Sequence, residues 1–184
     1  MNLLFRLVIL AAAALFHGRH SVLCASRLCL RVMPNDLDLN LHMNNARYLS
    51  VFDLGKIDVM IRSGVAGVAY RRRWHPLIGG NIVRYRFGLG PFHRFRLTTR
   101  VLCWDDKWFY FQHEIETKQG IAALGLSKAL LREVGRSVPP VEVMAAVAPG
   151  LSSPSMPRII AEWISLDDAL RPDEAGGSEP LSRQ

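Results

Sequence analysis

The densest concentration of groups able to do chemistry in this sequence is the run Asp38-Leu39-Asn40-Leu41-His42-Met43-Asn44-Asn45. A carboxylate, an amide and an imidazole recur there at alternate positions, so an extended loop would turn Asp38, Asn40 and His42 to one side. Such a set is competent for hydrolysis. A carboxylate serves as general base on water or as nucleophile, and an imidazole orients or protonates. Backbone N–H groups at the start of a following helix add a place for a developing oxyanion. The same residues also have a purely structural reading, in which Asn44 or Asn45 caps the helix, Asp38 satisfies loop amides and His42 packs. Spacing alone leaves both readings open.

The flanking pattern says what must hold this run in place. Leu28 to Met33 alternates as a strand and ends at Pro34-Asn35-Asp36. After Asn44, a helix extends to about Ser63, apolar on nearly every side, as expected of a buried helix, and Gly64 stops it. Arg71-Arg72-Arg73 follows in the connection. The second half has period two: Ile78 to Phe87, then Arg94 to Leu102, Trp108 to Thr117 and Ile121 to Arg132, with turns at Asp105-Asp106-Lys107 and Lys118-Gln119-Gly120. Phe95, Leu97, Thr99 and Val101 share one face, and Arg94, Arg96, Thr98 and Arg100 the other. Trp104, Trp108, Phe109, Tyr110 and Phe111 read as core and interface residues. The fold class is therefore α+β, an antiparallel sheet wrapped around one long buried helix.

At 184 residues, with 49% hydrophobic and 21% charged residues, the chain suits one globular core and excludes global disorder. Its net charge of +7 is uneven: residues 137–184 carry 3 basic and 7 acidic groups, which leaves 20 − 9 = +11 for residues 1–136. A basic body suits phosphate-bearing or other polyanionic partners. Charge is the one feature pointing to nucleic acid, which is therefore not the expected partner. The three cysteines lack metal spacing and read as buried thiols in a reducing compartment. Residues 1–26 form an apolar N-terminal segment whose run Leu7 to Phe16 falls short of the roughly 20 residues a bilayer span needs. A packed helix, a membrane anchor and a signal peptide remain alternatives for it, so a cytoplasmic protein with or without membrane association is expected. Residues 27–137 make the main domain. Residues 138–170 are a proline-broken extension with a short helix from Arg158, and 171–184 a polar tail expected to be disordered.

The run Asp36-Leu37-Asp38-Leu39-Asn40-Leu41-His42-Met43-Asn44-Asn45 with Tyr48 resembles the active-site segment of plant acyl-ACP thioesterases. More loosely it resembles the corresponding segment of hot-dog acyl-CoA thioesterases of the 4-hydroxybenzoyl-CoA thioesterase type. In overall organisation, apolar N-terminus included, the chain is similar to the thioesterase-superfamily-member-6 group. This resemblance implies a hot-dog fold over about residues 27–136. It implies homodimers or homotetramers with sites at the dimer interface, and an acyl-CoA or acyl-ACP substrate. It assigns catalytic roles to Asp38, Asn40 and His42, with Asn44, Asn45 and Tyr48 as their framework. No cofactor and no metal are implied.

Two departures stand out. Leu41 occupies the place of the glycine that precedes His in the simpler acyl-CoA enzymes. The plant enzymes also use a Glu and a Cys after a Tyr-Arg pair, where this chain has Phe87, Gly88 and Leu89 after Tyr85-Arg86. Asp53, two turns into the helix, is a candidate substitute for the missing acid, or else a carboxylate held within the core or dimer seam. Arg71, Arg72 and Arg73 are candidates for the phosphates of coenzyme A, or else a solvated connection. A non-catalytic acyl-binding protein and an enoyl hydratase or dehydratase on the same fold are the alternative functions.

Overall fold

The computed structural model describes residues 6–8, 10 and 18–170; expectations placed on the tail 171–184 and on most of the apolar N-terminus lie outside the described residues. Strand β1 (Ser26–Arg31) leads through a 3₁₀ turn (Pro34–Asp36) to the loop of interest and then to helix α1 (Asn45–Arg62). A short helix α2 (Val65–Arg72) and strands β2 (His75–Tyr85), β3 (Arg94–Trp104), β4 (Phe109–Thr117), β5 (Gly120–Glu133) and β6 (Arg136–Val138) follow. Helices α3 (Pro140–Val147) and α4 (Arg158–Ala169) close the described chain. The pairings are antiparallel in the order β1-β3-β4-β5-β2, with β6 beside β5. Strands β1 and β2 are therefore the two edges.

Helix α1 begins where Asn44 caps it: the side-chain oxygen accepts the Ala46 N–H at 2.9 Å. Its buried face carries Tyr48, Phe52, Gly55 and Val59, and the sheet curls around it. Each large apolar side chain so buried contributes roughly 1.5–3 kcal/mol. Two glycines let the surfaces close. A Cβ on Gly55 would lie 2.0 Å from Thr99 Oγ1, and one on Gly125 would lie 2.4 Å from the Phe52 ring. Helix and sheet thus meet backbone to side chain at two points.

On β3 the expected alternation is present: Phe95, Leu97, Thr99 and Val101 are buried, and Arg94, Arg96 and Arg100 are exposed. From Ala122 to Leu131, β5 is mostly buried on both faces. The reason is α4, whose Ile160 and Trp163 pack on Tyr110 and Leu126 across the convex side of the sheet. Lys128 is clamped between the Trp108 and Trp163 rings, 5.0 and 5.8 Å from their centroids, and pairs with Asp167.

Three local expectations are corrected. Arg71 and Arg72 end a helix, α2, that begins immediately after Gly64 takes a positive φ of 83°. Pro140 and its neighbours start helix α3 rather than breaking the chain, because proline at the first helical turn gives up no hydrogen bond. Of the cysteines, Cys103 alone is buried, where desolvation and Asp105 push its thiol up to about 11. Cys24 is exposed, and so is Cys29, on the outer face of β1 in register with Arg96.

Candidate active site

The run 37–43 is not extended. Leu37 and Met43 form an antiparallel bridge, the Asp38 N–H donates to the His42 carbonyl at 2.8 Å, and Leu41 donates to the Asp38 carbonyl at 3.1 Å. To close this turn Leu41 adopts φ +57°, a left-handed conformation that costs roughly 1–2 kcal/mol for a residue with a Cβ. Glycine would take this conformation without strain, and glycine is the residue that the resemblance places before His in the simpler acyl-CoA enzymes. The folding back sets Asp38 opposite His42 and leaves Asn40 at the exposed tip. Alternation of the three residues along one side is therefore not the geometry that assembles them.

Asp38 holds the turn with one oxygen. Its Oδ1 accepts the Asn40 N–H at 2.8 Å and the His42 N–H at 3.3 Å. Its second oxygen has no hydrogen bond among the described residues, and the residue is half-buried. The His42 side chain lies against Gly88, where a Cβ would come within 2.5 Å of the imidazole Cδ2. Gly88 belongs to the segment that receives the loop, since the Met43 N–H donates to the Leu89 carbonyl at 2.8 Å.

Behind the loop stands Asp36, which sequence reasoning left without a role. It is 3% exposed, pairs with the Arg6 guanidinium, accepts the Met33 N–H at 2.9 Å, and its carbonyl accepts the Asn44 N–H at 2.8 Å. A buried acid with a charged partner is a rigid anchor. The acidic residue two before Asp38 was the available signal.

The remaining candidates separate by role. Asn44 caps α1, and the Asn45 carbonyl accepts the Tyr85 hydroxyl at 3.3 Å. Tyr48 is buried edge-on to Tyr85 with centroids 5.0 Å apart, and burial raises its hydroxyl pKa above 10. Together they tie the amide end of α1 to the end of β2. Asp53 pairs with Lys56 at 2.8 Å within α1. Arg71, Arg72 and Arg73 follow α1, whose 18 residues span about 27 Å, so within one chain they lie at the opposite end of the helix from Asp38. Arg72 is also engaged there, 4.9 Å over the Trp74 ring and 3.6 Å from Glu142.

A buried polar row also went unread. Ser127 Oγ donates to Asn81 Oδ1 at 2.7 Å, so it accepts from His113 Nε2 at 2.9 Å, and His113 Nδ1 accepts the Thr99 hydroxyl at 3.0 Å. The imidazole is 0% exposed and stacks on Phe52 at 4.4 Å, and desolvation, helped by Lys56, holds its pKa well below 6.5. Polar residues at facing positions of four neighbouring strands were the signal. Among the described residues no cluster of His, Cys, Asp or Glu could hold a metal, and no helix is long and apolar enough to cross a membrane.

A sheet curled around one helix, with an acid-bearing turn at the helix's amide end, defines the hot-dog class. Residues 32–164 match the model of the Thioesterase-like superfamily, and the chain belongs to that superfamily. It is similar to Protein THEM6 of Xenopus laevis, 30% identical over 138 residues that cover 75% of this chain and 66% of that protein. The chain thus spans just under two thirds of that relative's length. Among solved structures, a probable thioesterase, YbaW, from Escherichia coli superposes with a TM-score of 0.60 at 16% identity, covering 67% of this chain and 96% of that one. A mutant 4-hydroxybenzoyl CoA thioesterase complexed with 4-hydroxybenzoyl CoA gives 0.60 at 12% identity, with 67% and 99% covered. These structural likenesses establish the fold.

Proposed function

We propose that this chain is a homodimeric thioesterase that hydrolyses fatty acyl thioesters of coenzyme A or acyl carrier protein. The carrying observation is the asymmetry of Asp38. Two backbone amides fix one carboxylate oxygen, and the other is left for water or for the thioester carbonyl. Asn40 and His42 would position the carbonyl or the attacking group. A thiol leaves with a pKa of about 8.5, so its departure needs little general-acid help, and a base with oxyanion donors is sufficient. The absence of an acid after Tyr85-Arg86 is compatible with that lean site.

Dimerisation is supported by β2, which among the described residues pairs with β5 alone and leaves Leu77, Ile78, Ile82 and Tyr85 each more than a third exposed. An apolar unpaired edge is a pairing surface. Antiparallel pairing of two copies across a two-fold axis would set the His75 end of one strand beside the Tyr85 end of the other. The Arg71 to Arg73 end of one copy would then approach the Asp38 turn of its partner, where the phosphates of coenzyme A or of a phosphopantetheine arm need cations. A cytoplasmic location, with membrane contact through residues 1–26, belongs to the same reading.

The test is thiol release from short, medium and long acyl-CoA thioesters by the full chain beside Asp38→Asn. Release that depends on Asp38 supports hydrolysis and reports chain-length preference. Tight acyl-CoA binding without release at any length would favour a non-catalytic acyl-binding protein.

A further inference from the structure

The convex face of the sheet is divided. Over β4, β5 and the Leu102 and Cys103 end of β3 it is covered by α4, and over β1 and the Arg94 to Arg100 part of β3 it is open. On the bare half the register gathers arginines: Arg31 lies opposite Arg94, Cys29 opposite Arg96 and Arg27 opposite Thr98, with Arg100 further along β3. All five arginines are exposed. Two acids share that face, Glu114 and Glu116 on β4, so the local balance is 5 − 2 = +3. Arg96 pairs with Glu116 at 3.2 Å, while Arg27, Arg31, Arg94 and Arg100 have no ion pair among the described residues.

This face adjoins Arg6 and Leu10, both buried against the domain. Residues 3–16 contain a single charged side chain, Arg6. That arginine donates to the Arg31 carbonyl at 3.0 Å, at the free edge of β1. An open groove of about 810 Å³ runs along the same edge, lined by Leu10, Leu28, Leu30 and Leu54 together with Arg31, Arg94 and Arg96. Apolar and cationic surfaces thus meet along one strand.

We propose that the arginine face of β1 and β3 docks on an anionic phospholipid bilayer. The proposal extends the membrane contact assigned above to residues 1–26 and is independent of the thioesterase reading. Arg94 to Arg100 spans about 20 Å of extended strand, a breadth suited to a planar array of headgroups. Nucleic acid is disfavoured because the exposed positions of this face carry no aromatic side chain on which bases could stack.

The experiment is co-sedimentation of the full chain with vesicles of phosphatidylcholine alone or with one third phosphatidylserine, at low and high salt. The expected result is at least about tenfold stronger partitioning onto the anionic vesicles, weakened by salt. Each arginine near such a surface is worth about fivefold. The variant carrying Arg27→Gln, Arg31→Gln, Arg94→Gln and Arg100→Gln should therefore lose at least about tenfold. A variant of equal net charge, with Arg71→Gln, Arg73→Gln, Lys107→Gln and Arg158→Gln, should keep binding within about threefold. The proposal is overturned if wild type binds both vesicles equally, which would leave contact to the apolar segment alone. It is also overturned if both variants lose binding equally, or if the chain binds polyuridylate and ignores the vesicles. Hydrolysis of a soluble short acyl-CoA by the first variant, measured in parallel, separates this outcome from failure of the thioesterase reading.

Discussion

The Asp38 carboxylate binds the backbone of His42 and not its ring, Oδ1 accepting the His42 N–H at 3.3 Å across a turn closed by left-handed Leu41. The acid is thereby oriented by the chain that carries the imidazole. Structural duty and chemical duty fall on different oxygens of one group, so substitutions can separate them.

Asparagine keeps the Oδ1 acceptor and removes the charge, whereas alanine removes both. Asp38→Asn should lower kcat by about 100-fold or more with little change in melting temperature. Asp38→Ala should show the same kinetic loss and also destabilise the chain by roughly 1–2 kcal/mol. Thiol release and urea melts on the two variants give the comparison. Wild-type turnover in the asparagine variant would remove Asp38 from the mechanism.

Gly88 is the seat of the His42 ring. Because a Cβ there would lie 2.5 Å from Cδ2, Gly88→Ala must displace the imidazole or the loop. An activity loss of about tenfold is expected, and His42→Ala in the same chain should recover the stability lost to the clash without restoring turnover, since the double variant relieves the clash but lacks the imidazole. Absence of any kinetic effect would mean that the ring position is irrelevant to turnover.

His113 gives the fold a defined acid sensitivity. Burial holds its folded pKa well below 6.5, while in the unfolded chain it titrates near 6.5. Below about pH 6.5 the unfolded state takes up a proton that the folded state refuses. Stability therefore falls as the pH falls, by up to ~1.4 kcal/mol per pH unit from this one group. His113→Gln should be less stable at pH 7.5 by roughly 2–4 kcal/mol, because Thr99 and Ser127 lose their partners. It should also show a shallower decline from pH 6.5 to 5 than wild type. Parallel slopes in urea midpoints would contradict the neutral buried imidazole.

The β2 edge predicts the oligomeric state. Ile78 and Ile82 are 38% and 39% exposed on a strand with one free side. Charging both, as Ile78→Lys with Ile82→Lys, should convert a dimer to a monomer in sedimentation velocity and lower turnover with it. A dimer that survives the double substitution would place the interface elsewhere.

Much of this architecture is written locally. The two-residue alternation of β3, the turns at Asp105 and Lys118, and the capped helix after Asn44 follow from side-chain periodicity and turn chemistry, which act over a few residues. The motif from Asp36 to Asn45 is likewise contiguous, and its likeness to thioesterases could be read without a fold. Proline at Pro140 misled because its effect depends on whether it enters or interrupts a helix, and the surrounding packing decides that.

Other features join residues far apart in sequence and only folding could reveal them. Thr99, His113, Ser127 and Asn81 form one row because four strands place inward positions side by side. Arg6 meets Asp36, and Gly88 meets His42, across separations that no window spans. The five-arginine face exists only because β1 pairs with β3 in one particular register. The sequence by itself determined the long helix and the main strands, the chemical inventory of the turn and the family. Tertiary structure decided which oxygen of Asp38 is free, which imidazole is buried and where positive charge accumulates, because those depend on distances between segments that the chain brings together only on folding.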